Sequence, residues 1–140
     1  MNTNLSKYIM LVDDNKDDVD LTIMALKHNQ IANEVKVAFN GQEAVDMLLN
    51  DDDAPLPAVI LLDINMPKLN GLETLKILRS HERTRTVPVV ILTSSQEEQD
   101  LLAGYRSGAN SYIKKPVDFE NFTEAIRQLG MYWLALNELP

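Results

Sequence analysis

Residues Val59–Pro67 read VILLDINMP. Four apolar residues run unbroken into Asp63, and Asn65, Pro67 and Gly71 then keep regular structure from continuing. A short apolar run without polar alternation is what a strand needs when helices cover both of its faces. A buried helix would show the same run, but Pro55 and Pro57 before it and Pro67 after it leave room only for a strand. Asp63 therefore stands at the C-terminal end of a buried strand, and in open α/β sheets that is where ligands bind.

The flanking sequence repeats this pattern. Lys7–Val12 carries the run YIMLV and ends in Asp13, Asp14 and Asn15. Lys16–Gln30 places Val19, Ile23 and Leu26 at helical spacing. Glu34–Phe39 alternates like a strand and closes on an Asn40-Gly41 turn, after which Gln42–Asn50 reads as a short helix. Asp51–Pro57 is a loop, and Gly71–Ser80 is a third helix through Leu72, Leu75 and Leu78. Pro88–Leu92 is another continuous apolar strand, ending at Thr93, Ser94 and Ser95. Ser95 with Glu98 forms a capping-box pattern for a fourth helix to about residue 107, which Gly108 stops. Ser111–Ile113 is the last strand, ending at Lys114, Lys115 and Pro116, and Asp118 caps a final helix. The order βαβαβαβαβα implies one parallel sheet with helices on both faces and right-handed crossovers.

The 140 residues suit one domain with its own core. With no cysteine, thiol chemistry and cysteine metal sites are excluded. No apolar run reaches membrane-spanning length and no signal-like segment opens the chain, so a cytoplasmic protein is expected. A net charge of −8 argues against a nucleic-acid partner but suits a divalent cation.

All strands of a parallel sheet point one way, so Asp13, Asp14, Asp63, Thr93 and Lys115 should share one edge. Three close carboxylates repel unless a cation intervenes. Mg²⁺ (or Mn²⁺) relieves that repulsion through oxygen ligands, and a carboxylate beside it can attack phosphorus to give an aspartyl phosphate. Catalysis then consists mainly of positioning and charge neutralisation at the phosphoryl oxygens, by the metal, by Lys115 and by the Thr93 hydroxyl.

The motifs LVDDN, LLDINMP, ILTSS and YIKKP, in that order, resemble those of response-regulator receiver domains, the CheY-like phosphoacceptors of two-component signalling. The resemblance covers nearly the whole chain. It implies a flavodoxin-like (CheY-like), doubly wound five-stranded sheet of order 2-1-3-4-5. It implies Asp63 as the phosphorylation site, with Asp14, Asp63 and the Asn65 carbonyl ligating Mg²⁺ and Asp13 acting through water. By the same resemblance Thr93 is the switch hydroxyl, Tyr112 the switch aromatic and Lys115 the phosphate contact, followed by a cis peptide at Pro116.

Singly, each residue has a plainer explanation. Asp13–Asn15 could only cap a helix, and Asp63 could form a turn ahead of Pro67. Thr93 could start a helix, Lys115 could be a solvated surface lysine, and Tyr112 could fill a strand. Their coincidence at the ends of four strands is what outweighs these readings. His28 and His81 lie in polar surroundings and read as solvated, and Asp51–Asp53 lacks calcium-loop spacing.

Phe119, Phe122, Ile126, Leu129, Trp133 and Leu136 form one apolar stripe at steps of three and four, implying an extended helix over about 119–139. Such a helix runs about 27 Å from 119 to 136, against about 17 Å for a five-residue strand. Trp133, Leu136 and Tyr132 should therefore overhang the sheet as an interface for a second copy or a partner, although Gly130 could let them fold back. This tail resembles single-domain regulators of phytochrome-type histidine kinases, many of which dimerise. The expectation is a stand-alone response regulator phosphorylated by a histidine kinase, signalling through protein contacts as a homodimer, with no nucleic-acid or membrane partner. Two alternatives stay open: a haloacid-dehalogenase-type phosphatase, which would want a second Asp where Asn65 stands, and a phosphorylation-independent binding module.

Overall fold

The computed structural model describes residues 8–28, 33–51, 53–66, 69–99 and 108–129. In chain order these form β1 (Ile9–Val12), α1 (Lys16–His28), β2 (Val35–Ala38), α2 (Gly41–Leu49), β3 (Val59–Asp63), α3 (Gly71–Ser80), β4 (Val89–Thr93), β5 (Ser111–Lys114) and α4 (Phe119–Gln128). A helical turn at 96–99 follows β4. The rest of the helix expected to reach residue 107 lies outside the described residues, as do Tyr132, Trp133 and Leu136. All strand pairings are parallel and the order is β2-β1-β3-β4-β5. This is the flavodoxin-like arrangement.

Alternation along the central strands divides the interior into two cores. Ile9, Leu11, Val59, Leu61, Val90 and Leu92 pack on one side with Val19 and Leu26 of α1 and Phe122, Ala125 and Ile126 of α4. Met10, Val12, Ile60, Leu62, Val89 and Ile91 pack on the other with Ala44 and Leu48 of α2 and Leu75 and Leu78 of α3. Both faces of β1, β3 and β4 are thus covered, which is why these strands read as unbroken apolar runs.

Several boundaries differ from the sequence reading. The ladder of β1 begins at Ile9, with Tyr8 buried just ahead of it. Strand β2 is one residue shorter at each end, leaving Phe39 exposed. Asn40-Gly41 is the start of α2 and not a separate turn, because the Asn40 side chain accepts the Glu43 backbone N–H at 2.8 Å. Strand β5 extends to Lys114. Helix α3 opens with a full capping box between Asn70 and Glu73. Gly108 has φ of 91°, a left-handed conformation that glycine adopts without steric cost; the helix it was expected to stop lies outside the described residues.

One glycine bears directly on the strand ends. A Cβ on Gly71 would lie 2.5 Å from the Asp63 carbonyl oxygen and 2.7 Å from the Ile64 Cα. Only glycine lets the start of α3 come this close to the backbone that carries Asp63.

Candidate functional site

Register brings the distant residues together. Val12 pairs with Leu62, so Asp13 and Asp63 emerge side by side from neighbouring strands. Asp63 pairs with Leu92 and Thr93 with Lys114, which sets Thr93 and Lys115 one step beyond. Backbone bonds continue past the strand ends: Asp13 N–H to Ala38 carbonyl (3.1 Å), Ile64 N–H to Leu92 carbonyl (3.1 Å) and Lys115 N–H to Thr93 carbonyl (2.8 Å). The candidate side chains therefore leave from fixed backbone, and the Lys115–Pro116 peptide is cis.

Asp13 is 0% and Asp63 4% exposed, while Asp14 faces solvent. The Lys115 ammonium stands 2.8 Å from Asp13 Oδ2, 3.1 Å from Asp63 Oδ2 and 3.0 Å from Asp18 Oδ2. Two further carboxylate oxygens are fixed by the chain just beyond them. Asn15 N–H donates to Asp13 Oδ1 at 3.0 Å, and Asn65 N–H donates to Asp63 Oδ1 at 3.1 Å.

Burial pushes the Asp63 carboxyl up to about 6, and the charge of Asp13 adds to the rise; the Asn65 N–H and the Lys115 ammonium work against it without cancelling it. Burial also opposes the charge on Lys115. The adjoining Asp13 and Asp18 carboxylates and the field of Asp63 outweigh that and hold the ammonium above its usual range.

The donor set suits a hard divalent cation. Asp13, Asp14 and Asp63 each offer an oxygen, and these lie within 4.8 Å of one another. Asp13 Oδ2 is buried, with the Lys115 ammonium 2.8 Å away as its charge partner. A buried carboxylate oxygen facing two other carboxylates is suited to metal ligation or to a metal-bound water.

Thr93 is buried, and its hydroxyl donates to the Ile113 carbonyl at 3.4 Å, a long bond. Tyr112 is half-buried against the α2–α3 core, beside a cleft of about 320 Å³ that Gln96, Ile113, Asn121 and Ala125 help to line. The Asn65 side chain is turned outward, donating to Ser94 Oγ at 3.2 Å and to Glu98 Oε2 at 3.0 Å. Glu98 also accepts the Ser94 N–H at 2.7 Å, while Ser95 Oγ caps the Glu98 N–H at 3.1 Å. The expected Ser95 cap therefore forms, but Glu98 accepts the N–H of Ser94 in place of that of Ser95, and through Asn65 the same carboxylate bridges two loops. His81 is exposed, with Nδ1 2.9 Å from the Ile77 carbonyl.

Two participants escaped the sequence reading. In sequence Asp18 is indistinguishable from the acidic residues common in a first helical turn, and Glu98 reads as a cap alone. Among the described residues, no helix is long and apolar enough to cross a membrane.

Residues 9–127 match the family described as the response regulator receiver domain. The response regulator Rcp1 of Synechocystis sp. is 32% identical over 141 aligned residues, covering 99% of this chain and 96% of that protein. Among solved structures, the bacteriophytochrome response regulator RtBRR is 47% identical with a TM-score of 0.85, covering 96% of this chain and 84% of the other. The Mn(2+)-bound form of Rcp1 is 32% identical with a TM-score of 0.70, over 91% of this chain and 94% of that one.

Proposed function

Since the chain belongs to the response regulator receiver family and works by phosphorylation-based signalling, we propose that Asp63 is its phosphoacceptor. The donor is a histidine kinase of the phytochrome-associated type, acting in the cytoplasm. That kinase assignment is supported by the 47% identity to a bacteriophytochrome response regulator. The observation that carries the phosphoacceptor reading is the meeting of Asp63 with both charge partners: Lys115 at 3.1 Å and the acidic cluster within 4.8 Å.

An Asp63 carboxylate oxygen attacks phosphorus as the bond from phosphorus to the donor's leaving atom breaks. The leaving group, histidine nitrogen or the acetate of acetyl phosphate, takes the electron pair. Lys115 neutralises charge on one phosphoryl oxygen, and Thr93 donates its hydroxyl to another. Asp13, Asp14 and Asp63, with the Asn65 carbonyl, would hold Mg²⁺ or Mn²⁺, which when bound offsets the negative charge of the acidic cluster and of the phosphoryl group.

The hydroxyl of Thr93 now rests on the Ile113 carbonyl of β5. Turning it toward a phosphoryl oxygen releases that carbonyl beside Tyr112, and the aromatic ring takes up the vacated space. The surface formed by β5 and α4 then differs between the two states. Output is a protein contact, and self-association through the 119–139 stripe belongs to the same reading.

The phosphatase alternative is not favoured. At the position that would carry its acid–base, Asn65 presents an amide already committed to Ser94 and Glu98. The family's role is signalling and not turnover of a substrate. A binding module indifferent to phosphorylation would have no use for Lys115 beside Asp63.

Intact-mass measurement after incubation with acetyl phosphate and Mg²⁺ tests the assignment. One added phosphoryl group is expected on the wild type and none on Asp63→Asn. Labelling of both proteins, or of neither, refutes it.

A further inference from the structure

Helix α1 begins at Lys16, which makes Asn15 its cap and Asp18 its third residue. The Asn15 side chain accepts the Asp18 N–H at 3.0 Å, as a cap should. In a complete capping box the third residue returns the favour by accepting the cap's own N–H, as Glu73 does for Asn70 in α3 at 3.0 Å. In α1 the Asn15 N–H goes instead to Asp13 Oδ1 at 3.0 Å. That leaves the Asp18 carboxylate without a capping duty, and it turns to Lys115, accepting from Nζ at 3.0 Å.

The three carboxylates around Lys115 are not equivalent. Asp63 is the group to be phosphorylated, and Asp13 belongs to the cluster that would hold the metal. Asp18 is neither: it lies outside the group whose oxygens fall within 4.8 Å of one another. Asp18 is also the most exposed of the three, on the α1 side of the pocket, with a side chain 38% exposed against 0% and 5% for Asp13 and Asp63. An ammonium has three protons to donate, so a bond to Asp18 leaves two for the pocket.

We propose that Asp18 is a positioning residue, whose carboxylate holds the Lys115 ammonium at the mouth of the Asp63 pocket so that it meets the incoming phosphoryl group. This rests on Asp63 as phosphoacceptor and Lys115 as its phosphoryl contact. When Asp13 engages a metal and Asp63 is esterified, both change their dealings with Lys115, whereas Asp18 does not. Among the described residues it is therefore the partner that stays put for a long side chain that otherwise has four rotatable bonds to wander through.

The initial rate of phosphorylation by acetyl phosphate, read by intact mass, tests this. Asp18→Ala is expected to slow labelling about tenfold, modest beside the hundredfold cost of an ångström of misplacement. Asp18→Asn keeps an acceptor of the same shape and should stay within about threefold of wild type, since a neutral acceptor makes a weaker bond than a charged one. In a Lys115→Ala background, Asp18→Ala should have no further effect, whereas a general structural role would persist there. Wild-type or faster labelling of Asp18→Ala overturns the proposal, as does an equal loss with and without Lys115. Asp63→Asn run in parallel separates the two readings, because its labelling would refute the phosphoacceptor and not the tether.

Discussion

In metal-free protein Asp63 should be a liability to the fold, and replacing it with Asn should stabilise the chain. The carboxyl is raised from 3.8 to about 6, mainly by burial. A rise of roughly two units corresponds to about 3 kcal/mol of differential interaction. An acid whose folded pKa is raised favours the native state fully below its unfolded value, and loses that contribution as pH climbs through the folded value. The loss therefore falls between about pH 4 and pH 6. At pH 7.5 the ionised Asp63 bears the whole cost, and Asp63→Asn removes the charge while keeping the shape. For a chain of this size the gain corresponds to a rise in Tm of about 10 °C. Thermal or urea unfolding in EDTA, followed by circular dichroism, measures it. The gap should close toward pH 4.5 as wild-type Asp63 takes up its proton. It should also narrow with Mg²⁺, because a ligand held by Asp63 stabilises wild type more than the variant. If Asp63→Asn is no more stable than wild type at pH 7.5 in EDTA, or if the gap ignores pH, burial is not what governs this carboxyl.

Three other expectations follow from the same geometry. Thr93→Ala should still accept a phosphoryl group, but phosphorylation should no longer shift the Tyr112 ring resonances by NMR; a shift equal to wild type would uncouple the hydroxyl from β5. Gly71→Ala should cost about 2 kcal/mol through overpacking against the Asp63 backbone, seen as a lower urea midpoint together with slower labelling. Trp133→Ala should weaken self-association in sedimentation equilibrium, and a wild type that stays monomeric at every concentration would remove the dimer from the reading.

The fold was legible because its central strands are covered on both sides: β1, β3 and β4 are continuous apolar runs, each stopped by a polar residue or by proline. The convergence of Asp13, Asp63, Thr93 and Lys115 was legible for a related reason, since parallel pairing sends all C-terminal ends to one edge. Side-chain choice within a helical turn has no such periodic signature. Nothing in KDDVDL tells Asp18, which reaches Lys115, from Asp17, which is exposed. That distinction depends on Asp13 having already taken the Asn15 N–H, a contact across the cap. Glu98 was hidden likewise, because its second partner, Asn65, lies 33 residues away on another loop.

The proposed switch at Thr93 can be weighed by comparing what the hydroxyl would give up with what it would gain. Its present bond to the Ile113 carbonyl is neutral and 3.4 Å long. A neutral bond of ordinary length nets about 1 kcal/mol, so this one is worth less. A hydroxyl bonded to a phosphoryl oxygen is charge-assisted and nets about 1.5–3 kcal/mol. The difference favours rotation by about 1–2 kcal/mol, a factor of roughly 5–30 in population. Lys115 adds little to that bias, because it already sits 3.1 Å from Asp63 and needs only to stay. Phosphorylation should accordingly shift the balance between two arrangements of β5 without locking either, and a partner that prefers one arrangement would complete the shift. Thr93→Ser, which keeps the hydroxyl and loses only a methyl group, should preserve the phosphorylation-dependent movement of Tyr112 that Thr93→Ala abolishes.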